Sequence, residues 1–120
     1  MKEEFQKIFI SLKSMLSKYE KYLTVTIDKK DSYSLDAGYN EVFKRNMFFG
    51  AVQVKKNYIS VYLMPVYVNP KLLDGISPEL KKRMQGKSCF NFKEINKTLF
   101  KELSDLTKKG FEFYKKNGWC

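Results

Sequence analysis

Met47-Phe48-Phe49-Gly50-Ala51-Val52-Gln53-Val54-Lys55-Lys56-Asn57-Tyr58-Ile59-Ser60-Val61-Tyr62-Leu63-Met64 is the stretch whose reading decides the fold. Two β-rich runs, Met47 to Val54 and Tyr58 to Met64, flank the polar Lys55-Lys56-Asn57, where Asn suits a tight turn. In the returning run Ile59, Val61 and Leu63 share one side of the pleat, and Tyr58, Ser60 and Tyr62 share the other. That alternation predicts an antiparallel pair with one face packed and the other partly wet. Gly50 interrupts the outgoing run, which predicts a bulge or the close approach of another element.

Working toward the amino end, Gly38 to Asn46 reads as a connecting loop. Before it, Tyr33, Leu35 and Ala37 alternate with Ser32, Ser34 and Asp36, and Leu23, Val25 and Ile27 alternate with Tyr22, Thr24 and Thr26. These are two further strands, joined by the polar turn Asp28-Lys29-Lys30-Asp31. The period then changes. Over residues 4 to 20, Phe5, Ile8, Phe9, Leu12, Met15, Leu16 and Tyr19 recur at three- and four-residue spacing, which predicts an amphipathic helix lying on the sheet.

Toward the carboxyl end, Asn69-Pro70 and Ser77-Pro78 each place a capping side chain before a proline that needs no amide donor. They predict a short helix stopped by Gly75 and a second from Pro78 to Gln85 ending at Gly86. Ser88 to Phe92 reads as a last short strand. Residues 95 to 116 read as a closing helix with Ile95, Leu99, Leu103 and Leu106 as its core stripe, Phe113 or Tyr114 extending it and Gly110 weakening it. The expected fold is a single α+β domain over residues 1–120. Its antiparallel sheet has about five strands, with N- and C-terminal helices packed on one face and two short helices before the last strand.

Composition narrows the chemistry. Twenty-three Lys plus Arg against thirteen Asp plus Glu give a formal charge of +10, spread over both halves of the chain. Such a field attracts polyanions and anionic ligands. Only Arg45 and Arg83 are arginines, whereas nucleic-acid readers favour the bidentate guanidinium. No histidine is present, which excludes His-based triads, imidazole zinc sites and imidazole proton shuttles. The two cysteines, Cys89 and Cys120, are too few for a disulfide scaffold and lack companion ligands for a thiolate metal site. Cys89 is expected to pack as a small hydrophobe and Cys120 to be a free thiol. No apolar run approaches the roughly 18 to 20 residues that cross a bilayer, and the start Met1-Lys2-Glu3-Glu4 lacks a secretory pattern, so the expected location is cytoplasmic.

Few motifs carry chemistry. Gly86-Lys87-Ser88 superficially matches the end of a phosphate-binding loop, but the required upstream glycine is replaced by Lys81 and a strand follows. Asp28/Asp31 and Asp36/Glu41 are the available local carboxylate pairs, and both read as solvated surface beside lysines. Tyr58 and Tyr62 near Lys55 and Lys56 form the one set suited to stacking nucleic-acid bases. The strongest lead is a basic and hydroxylic rim. Arg83, Lys87, Ser88 and Asn91 cluster at the helix-to-strand junction, with Tyr62 and Tyr67 approaching from the hairpin, a donor set suited to phosphate or carboxylate.

Phe48-Phe49-Gly50-Ala51-Val52, Lys56-Asn57-Tyr58-Ile59-Ser60, Met64-Pro65-Val66-Tyr67 and Gly86-Lys87-Ser88-Cys89-Phe90-Asn91-Phe92 together resemble the YdhG-like family, small bacterial proteins of unknown function. The resemblance covers roughly residues 40 to 116 and implies helices packed against an antiparallel sheet. One branch of that family is described as frataxin-like, an iron chaperone for iron–sulfur assembly that uses an acidic ridge on the first helix and strand. The corresponding region here carries Glu3, Glu4, Glu20, Asp28, Asp31 and Asp36, interleaved with Lys2, Lys7, Lys13, Lys18, Lys21, Lys29 and Lys30. The interleaving departs from that pattern.

The sequence thus favours a non-enzymatic cytoplasmic binding module for an acidic protein partner or a small anionic ligand, with no cofactor, no metal and no membrane. A frataxin-like iron chaperone is the runner-up, and a nucleic-acid-binding module is the second alternative.

Overall fold

A computed structural model describes residues 3–120; Met1 and Lys2 lie outside the described residues. Six antiparallel strands form one sheet: β1 (Thr24–Lys29), β2 (Ser32–Asn40), β3 (Arg45–Val54), β4 (Ile59–Leu63), β5 (Met84–Gln85) and β6 (Cys89–Phe92). Their spatial order is β1-β2-β3-β4-β6-β5. Two long helices, α1 (Glu3–Ser17) and α4 (Lys97–Lys116), pack on one face. The short α2 (Met64–Val68), a 3₁₀ turn at Pro70–Leu73 and α3 (Pro78–Lys81) run beside α4. No helix among the described residues is long and apolar enough to cross a membrane.

The helical stripe does what its spacing requires: Phe5, Ile8, Phe9, Leu12, Met15 and Leu16 are all buried. Opposite them lie Tyr33, Leu35, Val52, Ile59, Val61, Leu63, Phe90 and Phe92, the inward row of the sheet. Helix α1 stops at Ser17, so Tyr19 belongs to the following turn, where it stacks on Phe111 at 4.6 Å between ring centroids. The expected bulge at Gly50 is present. Leu35 pairs with Gly50 and Asp36 with Phe48, leaving Phe49 as the extra residue, its ring buried against Tyr114 at 5.4 Å. A Cβ at Gly50 would stand 3.0 Å from the Tyr62 carbonyl and 3.3 Å from Leu16 Cδ2.

Several boundaries differ from the sequence reading. The segment read as a loop from Gly38 to Asn46 is mostly strand, because β2 runs to Asn40 and β3 starts at Arg45. Buried Asn40 makes this possible: its Oδ1 accepts from the backbone N–H of Val42 (2.8 Å) and Phe43 (3.0 Å), closing a short connection in which Lys44 takes a left-handed φ of 55°. The sheet therefore has six strands, not about five. The predicted helix from Pro78 to Gln85 is one turn, and Met84–Gln85 forms an edge strand on β6, with Gly86 (φ 76°) turning the chain between them. Ser77 caps that turn as expected, accepting from Leu80 N–H at 3.1 Å, and also donates its own N–H and hydroxyl to Glu102.

Three short helical segments, not two, precede the last strand, because α2 starts directly at the end of β4. Ile95 is exposed and lies before α4, which begins after the capping Asn96. The α4 stripe is Leu99, Leu103, Leu106, Phe111 and Tyr114. Gly110 admits α2 instead of weakening the helix to no purpose: a Cβ there would lie 2.8 Å from Pro65 Cβ. Finally, Val25 and Ile27 do not share a face. A register shift between them pairs Val25 with Leu35 and Ile27 with Ser34, leaving β1 an exposed edge strand.

Candidate functional site

The register assigns the residues that face away from the helices. Because Val52, Val61 and Phe90 pair across β3, β4 and β6 toward the core, their neighbours point the other way. One cross-strand row reads Ile27, Ser34, Ala51, Tyr62, Cys89, Gln85; the next reads Lys29, Ser32, Gln53, Ser60, Asn91. These two rows are mostly small and polar, and Tyr62 is the one ring in them. A hydrogen-bond network holds the part nearest β5. Ser60 Oγ donates to Asn91 Oδ1 at 2.7 Å, the Cys89 thiol donates to the same oxygen at 3.3 Å, and Asn91 Nδ2 donates to Gln85 Oε1 at 2.8 Å. Lys55 Nζ donates to Gln53 Oε1 at 2.8 Å and lies 5.9 Å from the Tyr62 ring centroid.

The six residues singled out from sequence separate into pairs. Tyr62 and Asn91 share the open face, Tyr62 opposite Cys89 and Asn91 opposite Ser60. Tyr67, exposed on α2, holds Lys87 Nζ 6.0 Å from its ring centroid. Arg83 and Ser88 contribute backbone: the Arg83 carbonyl accepts from Asn91 N–H at 2.8 Å, and the Ser88 carbonyl accepts from Leu63 N–H at 2.9 Å. Sequence reasoning missed Gln53 and Gln85, and it placed Lys55 and Ser60 beside Tyr62 without joining them to Asn91. Strict alternation back from Asn91 and Tyr62 is the signal that finds the strand residues among them. Cys89, expected to pack as a small hydrophobe, sits half-buried on this face, because β6 alternates from Phe90 and Phe92 inward.

A second concavity lies at the end of the sheet where β3 begins. Phe43, Arg45, Met47, Phe48, Met64, Tyr67 and Val68 line a hollow of about 150 Å³. Tyr67 belongs to both places, since its ring lines the hollow and carries the Lys87 ammonium group.

The acidic groups are dispersed. Asp28 is paired with Lys13 at 2.7 Å, the one ion pair among the described residues. Glu20 accepts from the Tyr33 hydroxyl. Burial pushes the Asp36 carboxyl up, against the opposing pull of Arg45. Among the described residues no group of three or more Cys, Asp or Glu side chains is placed to hold a metal ion. Both cysteines are free, and burial raises the Cys120 thiol pKa while Lys115 opposes it. Compared with protein-family models, with curated proteins and with solved structures, the chain finds no match in any of the three.

Proposed function

We propose that this chain is a non-enzymatic cytoplasmic binding module that engages an acidic partner through the uncovered face of its sheet at the β4–β6–β5 side. One observation carries the reading. Lys55 and Lys87 are held against the rings of Tyr62 and Tyr67, on either side of a satisfied polar network, in a chain with ten more cationic than anionic side chains. An ammonium group fixed beside an aromatic ring keeps its charge available to an incoming carboxylate or phosphate. Asn91 and exposed Gln85, hydrogen-bonded to each other and backed by the buried Ser60 hydroxyl, give such a ligand an ordered polar surface. Residues that do chemistry elsewhere, a nucleophile beside a base or paired carboxylates in a closed site, have no counterpart on this face among the described residues.

The test is a titration of isotope-labelled protein with polyglutamate, followed by two-dimensional NMR. Saturable shifts at Lys55, Tyr62, Lys87 and Asn91, weakening as salt rises through the physiological range, are expected. Lys55→Gln and Lys87→Gln should each weaken binding by up to about fivefold, the scale of an exposed ion pair. Shifts confined to α1 and α4, or none at low salt, would sink the reading. A single-stranded oligonucleotide binding far more tightly than polyglutamate would replace it with the nucleic-acid module. Ferrous iron binding much tighter than about millimolar at Asp28, Asp31 and Asp36 would replace it with iron delivery.

A further inference from the structure

We infer that the hollow between the β2–β3 connection and α2 takes a single bulky apolar side chain of an acidic peptide segment. This deepens the reading above, on which it rests, by naming the partner as a peptide with an apolar anchor and excluding a bare anion.

Size is the first argument. A hollow of about 150 Å³ is far below the roughly 300 to 1,000 Å³ of a small-molecule site, yet an apolar cavity of about that volume holds one benzene-sized group. Its walls are Phe43, Met47, Phe48, Met64 and Val68, with Arg45 and Tyr67 the two polar-tipped members. Methionines adapt to the shape of an inserted side chain better than branched residues do.

Exposure is the second. Of nine large apolar side chains left exposed among the described residues, four belong to this end of the fold: Tyr39 (60%), Val42 (79%), Phe43 (48%) and Tyr67 (55%). Phe43 and Tyr67 line the hollow itself, while Val42 neighbours Phe43 in the β2–β3 connection and Tyr39 pairs with Asn46 at the end of β2. An apolar cluster of this kind, rimmed by charge, marks an interaction surface.

The third argument is that the cluster is held in place. Asn40, 2% exposed, accepts from both Val42 and Phe43 N–H, while its own Nδ2 is buried with no partner. Leaving a buried donor unpaired is unfavourable. The arrangement keeps two apolar side chains exposed, and the Phe43 and Trp119 rings meet nearly at right angles with centroids 5.9 Å apart. Preorganisation of this sort lowers the entropy lost on binding. Charge complementarity then selects the partner. Arg45 lines the hollow, Lys44 precedes it and Lys87 lies against Tyr67; Arg45 already acts on the Asp36 carboxyl and Glu41 shares the connection, so three cations stand against two carboxylates here. Acidic residues on either side of the anchor would meet those cations.

The probe is a synthetic decapeptide of Glu and Asp with one central Leu, compared with the same peptide carrying Ala there. Binding of the Leu peptide should shift the methyl resonances of Met47, Met64 and Val68. The Ala peptide should bind about ten- to a hundredfold more weakly, the scale of burying one aliphatic side chain. Phe43→Ser, on an exposed loop, should remove the difference between the peptides, and Arg45→Gln should weaken the Leu peptide by up to about fivefold. Equal affinity for both peptides, with shifts only on the open face, overturns this inference and leaves the anion reading standing. If neither peptide binds, both fall. Binding to phosphatidylserine vesicles in place of the peptides, or dimerisation abolished by Phe43→Ser, also overturns it, in favour of a membrane or a second copy of the chain.

Discussion

Gly110→Ala tests how α2 is held. In an isolated helix the exchange would stabilise by about 1 kcal/mol, because Ala is the better helix former. In this fold the new methyl would stand 2.8 Å from Pro65 Cβ and 2.9 Å from Pro65 Cγ, where carbon atoms ordinarily settle at about 3.5 to 4.0 Å. The opposing atoms belong to a closed ring at the start of α2 and not to the far end of a flexible chain, so α2 itself must move by most of an ångström. Overpacking of this kind costs about 1 to 3 kcal/mol. The balance is a net loss of up to about 2 kcal/mol, or a fall in melting temperature of roughly 4 °C for each kcal/mol at this chain length. Urea and thermal unfolding measure it directly. A stabilised variant, gaining the full helical increment, would show that Pro65 does not press on Gly110 and would refute the reasoning. Because Met64, Tyr67 and Val68 line the hollow, the same variant should also weaken the Leu-anchored peptide more than it weakens polyglutamate.

Asn40→Ala removes the acceptor for two amides along with an unpaired donor, so the loss of stability should be modest, about 1 kcal/mol. The sharper readout is hydrogen exchange at Val42 and Phe43, which should accelerate at least about tenfold; unchanged exchange would mean that the side chain does not fix the loop. Tyr33 and Tyr114 supply a pH dependence. Burial raises both phenols above their ordinary 10.0, aided by Glu20 at Tyr33. Below about pH 10 both are protonated whether the chain is folded or not, and their contribution is complete. Above it the unfolded chain gives up its protons first, so stability should fall as pH rises toward the folded values. Unfolding midpoints should therefore decline from about pH 10 upward, and Tyr114→Phe, which loses the 2.6 Å bond to the Phe48 carbonyl, should start lower and decline less steeply. An equal slope in wild type and variant would argue that Tyr114 ionises freely.

The fold was legible where period alone decides it. The stripe in α1 and the inward set Ile59, Val61 and Leu63 follow from spacing and are buried, although Ser60 between them is buried too, and the bulge beside Gly50 follows from that glycine. Boundaries failed where one buried side chain reverses a local preference. Gly38, Asn40 and Asn46 look like loop residues, yet Asn40 is enclosed and spends its acceptor on the turn, so strand pairing continues to Asn40 and resumes at Arg45. Gly86 looks like the end of a helix, but the chain needs a left-handed residue between two paired strands just as it does after a helix. The open face was half legible. Tyr62 and Asn91 were found by residue type and Lys55 by its nearness to Tyr62, whereas Gln53 and Gln85 join them only through register, which sequence does not state. Arg45 and Phe43 escaped notice because they fell within an apparent loop.

On the proposed reading, the polar face and the apolar hollow would divide the work of recognition in a way that composition alone would not predict. Small residues, Ser32, Ser34, Ala51, Ser60 and Cys89, make up much of this face, and Ser34, Ala51 and Ser60 are themselves buried, so it offers little area to bury and cannot by itself hold a partner by the hydrophobic effect. Its cations act at longer range, where they raise the rate of encounter and lose influence as salt screens them. The hollow is the reverse: short in range, indifferent to salt, and able to slow dissociation once a side chain is seated. Tyr67 joins the two, one part of its ring lining the hollow and its face toward Lys87, so a segment that enters by charge meets the anchor site without a second search. Specificity on this view resides in the spacing between anchor and acidic residues, which the rigid Asn40 turn and the Pro65–Gly110 contact both fix.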